Sequence, residues 1–410
     1  MSEIEVGPGV YTLRWTEYDI SIVVDRLKEN SSHEVHSEWV VRHKTLGHLT
    51  RSRVSLLGPR SKADMVKELE ASRAGGTVDW KGIVEETAGK VLEEYRRGEP
   101  VVILGDVTVN EALEWRARPL ILEGEATVLF GYSGLGKSWI GNFLSTYVQE
   151  GVMDNGLEVE PGQVLFLDYE TSKNTAARRF SMIHAGLGIE SSSRVLYRHC
   201  YQPLANEISE VMKIVHGEGV QMVVVDSAGP ACGGEPEQAG PALAYWNALR
   251  SLKVSSFTIA HKSKVSNSQG PFGSVFWTNI PRSVYEISKS QATGAQTLNV
   301  ALVHRNANDT PLQHAKGFSL TFDEHAIYLS TTNLAHDKDL IQVLSDSDPT
   351  LRYRMAEALS HGSLDVKELV DQTGIQETSL RSQFSRHKDW FIKLSDNTYG
   401  LVAQDHVWRG

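Results

Sequence analysis

Between Val10 and Ser55 apolar residues recur two apart in short pieces: Tyr11-Thr-Leu-Arg-Trp15, Ile20-Ser-Ile-Val-Val24 and Glu38-Trp-Val-Val-Arg42. A period of two lays one strand face on a core and the other toward solvent. Breaks at 30–33 and at Gly47 fit turns, so this stretch predicts a small antiparallel β unit. Helical spacing follows over 62–71 and 80–96. After Gly98-Glu-Pro100 the pattern changes. Short, continuous apolar runs at 127–130, 164–167, 222–225 and 256–260 alternate with helical stretches. Strands buried on both faces read this way, and the alternation predicts a parallel sheet covered by helices. Strand patterns return at 283–287, 297–303 and 318–322. Beyond a polar stretch at 333–338, helical patterns at 351–359, 366–370 and 377–387 precede two short strands flanking Asp396-Asn397, a hairpin signal. The chain thus divides into a β-rich segment with helices (1–99), an α/β core (100–332) and a C-terminal domain of helices and a hairpin (333–410).

Composition narrows the partners. The 410 residues suffice for two or three domains, and 41 basic against 51 acidic residues give a formal charge of -10. No global basic character announces nucleic acid, so any polyanion contact must come from local patches. Cys200 and Cys232 are the only cysteines and lie far apart, which excludes a disulfide framework and fits a reducing compartment. No signal-peptide pattern opens the sequence and no apolar run approaches membrane-spanning length. The expectation is a cytoplasmic protein without membrane contact.

In doubly covered parallel sheets ligands bind beyond the carboxyl ends of the strands. The run 127–130 leads into Gly131-Tyr-Ser133-Gly134-Leu135-Gly136-Lys137-Ser138 and then Trp139, a full G-x-x-x-x-G-K-S between strand and helix. Gly131 and Gly136 are read as the positive-φ positions of a loop whose N–H groups converge on phosphates, with Lys137 reaching the β- and γ-phosphates and Ser138 the Mg²⁺ of an ATP complex. The second run ends in Asp168-Tyr-Glu170. Either carboxylate is a candidate for activating water, and Glu170, at the strand's last turn, is favoured. The third run ends in Asp226, the pattern of a Mg²⁺-side aspartate. The fourth delivers His261 to the same edge, where it could touch a γ-phosphate or the attacking water. Lys262 and Lys264 open a polar, Gly-containing loop suited to a nucleic-acid backbone. Arg305, read as lying on the turn after 297–303, is placed to stabilise charge in a neighbouring subunit's site.

These segments, with Pro271-Phe-Gly273-Ser274-Val-Phe-Trp277, Arg282 and His304-Arg305-Asn306, come in an order that resembles the RecA-like hexameric ATPases, in particular the plasmid RepA-type helicases and their phage relatives. The resemblance spans about Val101 to Leu329. It implies a ring with sites between subunits, Glu170 as catalytic base, His261 as γ-phosphate and DNA-loop sensor, and Arg305 as a finger acting in trans. Where DnaB-like relatives often carry a second basic residue, this chain has Val303. The C-terminal pattern resembles a winged helix-turn-helix. Its third helix offers Arg381, Arg386 and Lys388 to DNA, although the same fold also docks proteins. The expected function is a Mg²⁺-dependent ATPase ring acting on single-stranded or forked DNA, with replication proteins as possible partners. The alternative is an ATP-switched helicase loader or replication regulator that separates no strands.

Overall fold

The computed structural model describes residues 2–402 except 8, 31, 77, 99–100, 109–111, 263–269, 333, 335–339 and 341–350, and the side chain of residue 353. Lys264 therefore lies outside the described residues. Two compact units form: Met1–Ala112 with Leu204–Gly219, and Leu113–Pro203 with Val220–Gly410.

In the first unit β1 (Glu3–Gly7), β2 (Val10–Trp15), β3 (Ile20–Glu29), β4 (Val35–His43) and β5 (Gly47–Ser55) pair antiparallel in chain order. The period of two gives this sheet one apolar face. Leu13, Ile22, Val24, Trp39 and Val41 pack in one cluster with Met65 and Leu69 of α1 (Pro59–Glu70) and with Ile83 and Val84 of α2 (Trp80–Arg97). Asp79 starts α2 by accepting a hydrogen bond from the Gly82 N–H at 3.0 Å.

The second unit carries the chemistry-bearing strand ends. In chain order come β6 (Trp115–Arg118), β7 (Ile121–Leu122), β8 (Ala126–Gly131), α3 (Lys137–Glu150), β9 (Glu158–Val159), β10 (Gln163–Asp168), α4 (Lys173–Leu187) and β11 (Leu196–His199). Helix α5 (Leu204–Gly217) follows and belongs to the first unit, where Lys213 Nζ lies 2.8 Å from Asp25 Oδ2 of β3. Then come β12 (Val220–Asp226), α6 (Ala228–Cys232), α7 (Ala239–Ser251), β13 (Ser255–His261), α8 (Phe276–Asn279), β14 (Ser283–Ser290), β15 (Thr297–Ala307), β16 (Lys316–Phe322) and β17 (Ile327–Thr331).

Among the described residues nine strands make one sheet in the order β11-β10-β12-β13-β8-β14-β15-β16-β17. From β11 to β14 all pairings are parallel; from β14 onward they are antiparallel. The expected parallel sheet is therefore mixed. The reason is connection length: β14 to β15 and β15 to β16 are joined by short segments without a helix, and a parallel crossover needs a dozen or more residues. The register brings the parallel strands to a common edge, with Asp168 opposite Asp226 and His261 opposite Gly131.

Strand β15 shows how the sheet is covered. Leu298, Val300 and Leu302 face a cluster with Ile140, Phe143 and Tyr147 of α3. Ala301 and Val303, on the opposite face, join a second cluster with Met355, Leu369, Leu380 and Phe391. Those come from α9 (Leu351–Ser360), α10 (Val366–Thr373), α11 (Glu377–Arg386) and β19 (Phe391–Lys393). With β18 (Leu364–Asp365) and β20 (Thr398–Leu401), β19 forms a small sheet in the order β18-β20-β19. Burying each such large apolar side chain contributes about 1.5–3 kcal/mol, so both faces of β15 are fixed. Among the described residues no helix is long and apolar enough to cross a membrane.

Candidate functional site

At the carboxyl edge of the parallel strands a cavity of about 370 Å³ is lined by Ser133, Gly134, Leu135, Gly136, Lys137, Ser138, Trp139, Glu170, Arg179, Asp226 and His261, with Gln291, Leu298 and Phe322 closing it from β14–β16. A larger cavity, about 620 Å³, runs between α4 and residues 189–197 and carries none of the strand-end acids or loop residues. The chemistry is in the smaller one.

The loop between β8 and α3 needs its glycines for two different reasons. Gly134 and Gly136 take positive φ, 75° and 86°. Gly131 does not, which corrects the expectation for it. A Cβ there would stand 2.7 Å from Ile287 Cγ2 and 2.9 Å from the Ile287 carbonyl oxygen, so Gly131 is required by the close approach of β14. Lys137 opens α3 and is buried. Its Nζ donates to the carbonyls of Gly131 at 3.0 Å and Tyr132 at 2.6 Å. Burial pushes its ammonium down to about 8, against the opposing pull of Asp226 and Glu170.

Asp226 ends β12 and is 1% exposed. Burial pushes its carboxyl up to about 6; the Ser138 hydrogen bond works the other way, and the charges of Glu170 and Asp168 add to the rise. Its Oδ1 is buried without a hydrogen-bond partner. An orphaned carboxylate oxygen beside a serine hydroxyl is a donor set for a hard divalent cation. Among the described residues no group of three or more His, Cys, Asp or Glu could hold a metal ion. That pairing fits Mg²⁺, which binds through one or two protein oxygens, waters and substrate phosphates rather than an all-protein cage. Ser138 and Asp226 are the residues that would hold it.

The structure separates the two carboxylates that the sequence left as rivals. Asp168 Oδ1 accepts the N–H groups of Glu170 and Thr171, each at 2.8 Å, and Oδ2 accepts the Tyr197 hydroxyl at 3.2 Å. Asp168 is thus spent on folding the turn. That turn carries Glu170, partly exposed, to the cavity, where its Oε1 accepts a hydrogen bond from the Ser227 hydroxyl and lies 3.4 Å from His261 Nε2. The His261 hydrogen bond leads in holding the Glu170 carboxyl below its usual range; burial opposes this and Ser227 adds to it. Glu170 is therefore ionised at neutral pH and can orient and accept from a water.

Two residues escaped the sequence reading. Ser227 follows Asp226 and is fully buried against Glu170. Arg179 lies on α4, three residues after the buried Ala176, and its guanidinium sits 5.4 Å from the Trp139 ring centroid on the cavity wall. Helical spacing after Glu170 was the signal for Arg179; for Ser227 there was only adjacency to Asp226.

Arg305 and Lys262 are placed differently from the expectation. β15 extends to Ala307, so Arg305 is inside a strand rather than on a turn, and its Nε and Nη2 lie 2.8 Å and 2.7 Å from Glu286 Oε2. Lys262 Nζ is 2.5 Å from Glu286 Oε1 and 5.6 Å from the Tyr132 ring centroid. It is not a free surface charge. On α11 Arg381 binds Glu377 at 2.8 Å and Asn397 at 3.2 Å and Arg386 is exposed, whereas Lys388, expected on the same helix, lies beyond its end at Arg386 and is exposed. None of the three lines the cavity.

A search of curated proteins finds no match to the chain. Residues 93–267 match a family model described as an AAA domain, a stretch that includes the phosphate loop, Glu170, Asp226 and His261, and the match supports a P-loop ATPase.

Proposed function

We propose that this chain is a Mg²⁺-dependent ATPase of the RecA-like type that assembles as a hexameric ring and acts on single-stranded or forked DNA in the replication of a phage or other mobile element. The observation that carries the reading is the single cavity in which Lys137, the unpartnered oxygen of Asp226 and the ionised Glu170 converge. Phosphoryl transfer needs positioned charge more than covalent chemistry. Loop N–H groups and Lys137 hold the β- and γ-phosphates. Ser138 and Asp226 hold Mg²⁺, which when bound supplies charge neutralisation on the phosphate oxygens. Glu170 orients a water for in-line attack, with Ser227 and His261 fixing its carboxylate. Arg179 adds a cation at the cavity wall. In the proposed ring Arg305 of one copy reaches the triphosphate of the next. Arg386 and Lys388, on a C-terminal domain read as a winged helix, would meet DNA phosphates.

Glu170→Gln tests the reading. Nucleotide binding, followed with a fluorescent ATP analogue, should persist while turnover falls by about 10²–10⁴; turnover that survives the change removes Glu170 from the base role. A second reading, an ATP-switched loader or regulator, is favoured by the commitment of Arg305 and Lys262 to Glu286 in their own chain. Opening of a forked duplex by the purified protein decides between the two.

A further inference from the structure

Glu286 is a buried carboxylate, 5% exposed, on the strand next to β8, and the reaction outlined above gives it no task. Its two oxygens serve different cations: Oε1 is 2.5 Å from Lys262 Nζ, and Oε2 is 2.8 Å from Arg305 Nε and 2.7 Å from Arg305 Nη2. Lys262 is the residue after His261, whose ring touches Glu170. Its own N–H donates to the Gly131 carbonyl at 3.0 Å, beside the phosphate loop. A short run of contacts therefore leads from Glu170 through His261 and Lys262 to Glu286 and Arg305. The guanidinium engages one carboxylate oxygen through Nε and Nη2, so those two donors must leave Glu286 before they can serve an outside anion. How firmly it is held depends on Lys262, because two cations share one buried carboxylate.

We propose that Glu286 is a positioning residue that latches Arg305 within its own chain, and that movement of the His261-Lys262 pair opens the latch so that Arg305 reaches a polyphosphate bound by a second copy. This deepens the ATPase reading and rests on it for the identity of that anion. The latch itself is a property of the single chain.

The test uses the full chain. Glu286→Gln keeps the shape and removes the charge, so DNA-independent ATP turnover should rise several-fold, and adding Arg305→Ala should abolish the rise. Lys262→Met leaves Glu286 to Arg305 alone and should lower turnover several-fold. A merely structural Glu286 would lower turnover in both variants, so opposite signs are diagnostic. A second readout needs no hydrolysis: modification of Arg305 by p-hydroxyphenylglyoxal in nucleotide-free protein, followed by peptide mass spectrometry. It should be faster in Glu286→Gln than in wild type by at least about tenfold, the factor that about 1.4 kcal/mol of lost restraint gives.

Equal modification rates overturn the latch, whatever the turnover. Fast modification with unchanged or reduced turnover in Glu286→Gln overturns its control of the reaction. Wild type that hydrolyses no ATP sinks the ATPase reading, while the modification rates still decide the latch. If Glu286→Gln does not fold, Lys262→Met decides alone, and a rise in its turnover or in its Arg305 modification overturns the proposal.

Discussion

Two clusters of charge lie on either side of Gly131, and burial does not distinguish them: Lys137 on one side and Glu286 on the other are each 5% exposed. Partners do. Glu286 is matched by Lys262 and Arg305 at hydrogen-bond distance. Among the described residues Lys137 Nζ has only carbonyl oxygens at hydrogen-bond distance, and Asp226 keeps one oxygen with no partner. A matched buried cluster holds geometry; an unmatched one carries a desolvation cost that a ligand of complementary charge can relieve. Burial strains this side, pushing the Asp226 carboxyl up to about 6 and the Lys137 ammonium down to about 8. An unmatched pair of charges that also lines a cavity marks the strand-end cluster as the place for a ligand.

The change that would break this contrast most severely is Lys137→Met. If the strand-end cluster is built for a triphosphate, titration calorimetry should show ATP affinity falling by about 2–5 kcal/mol, as for loss of one partner of a buried charge pair. Wild-type affinity should also hold up to about pH 8 and decline above it, because an ammonium pushed down to about 8 is neutral beyond that point. Unaltered ATP affinity in the variant would leave the two clusters with no functional difference.

Asp226→Asn probes the same side through stability. The unfolded carboxyl loses its proton near 3.8, while the folded one keeps it to about 6. Stability from this group is therefore fully present below pH 3.8 and is lost as pH rises through about 6. That rise corresponds to about 3 kcal/mol at most, so thermal melts of nucleotide-free Asp226→Asn at pH 7.5 should show a more stable protein, with the gain gone at pH 4. The variant should also lose its dependence on Mg²⁺. A less stable Asp226→Asn at pH 7.5 would mean that the carboxylate is compensated after all.

How much of this was legible beforehand follows from the distance over which each feature is decided. The phosphate loop, β8 and α3 are written in one contiguous run, and the ends of β10, β12 and β13 follow from short apolar runs stopped by a polar residue. The choice of Glu170 over Asp168 depends on a turn in which Asp168 accepts two N–H groups just downstream, a local habit of Asp that the sequence hinted at. The mixed sheet was also within reach, since the segments flanking β15 are too short for a parallel crossover. What could not be read is long-range. Ser227 finds Glu170 across 57 residues, and Glu286 finds Lys262 across 24 and Arg305 across 19. Helix α5 keeps company with β3, far away in sequence. Strands β7 and β9 are two residues long and carry no periodicity.

The smallest expected effect is at the seam. The Gly131 carbonyl accepts from Lys137 Nζ and from the Lys262 N–H, both at 3.0 Å, so one peptide touches both clusters. In Gly131→Ala the new methyl would meet Ile287 Cγ2 at 2.7 Å, the Ile287 carbonyl oxygen at 2.9 Å and Leu135 Cδ1 at 2.9 Å. The leucine end can rotate; the carbonyl belongs to β14 and cannot without moving the strand that carries Glu286. Overpacking of this kind costs about 1–3 kcal/mol, which denaturant unfolding would register. The functional consequence should be double: weaker ATP binding, as in Lys137→Met, together with faster Arg305 modification, as in Glu286→Gln. Lys137→Met itself should leave Arg305 modification unchanged. If Gly131→Ala alters one readout and not the other, the clusters are mechanically independent, and their shared peptide transmits nothing between them.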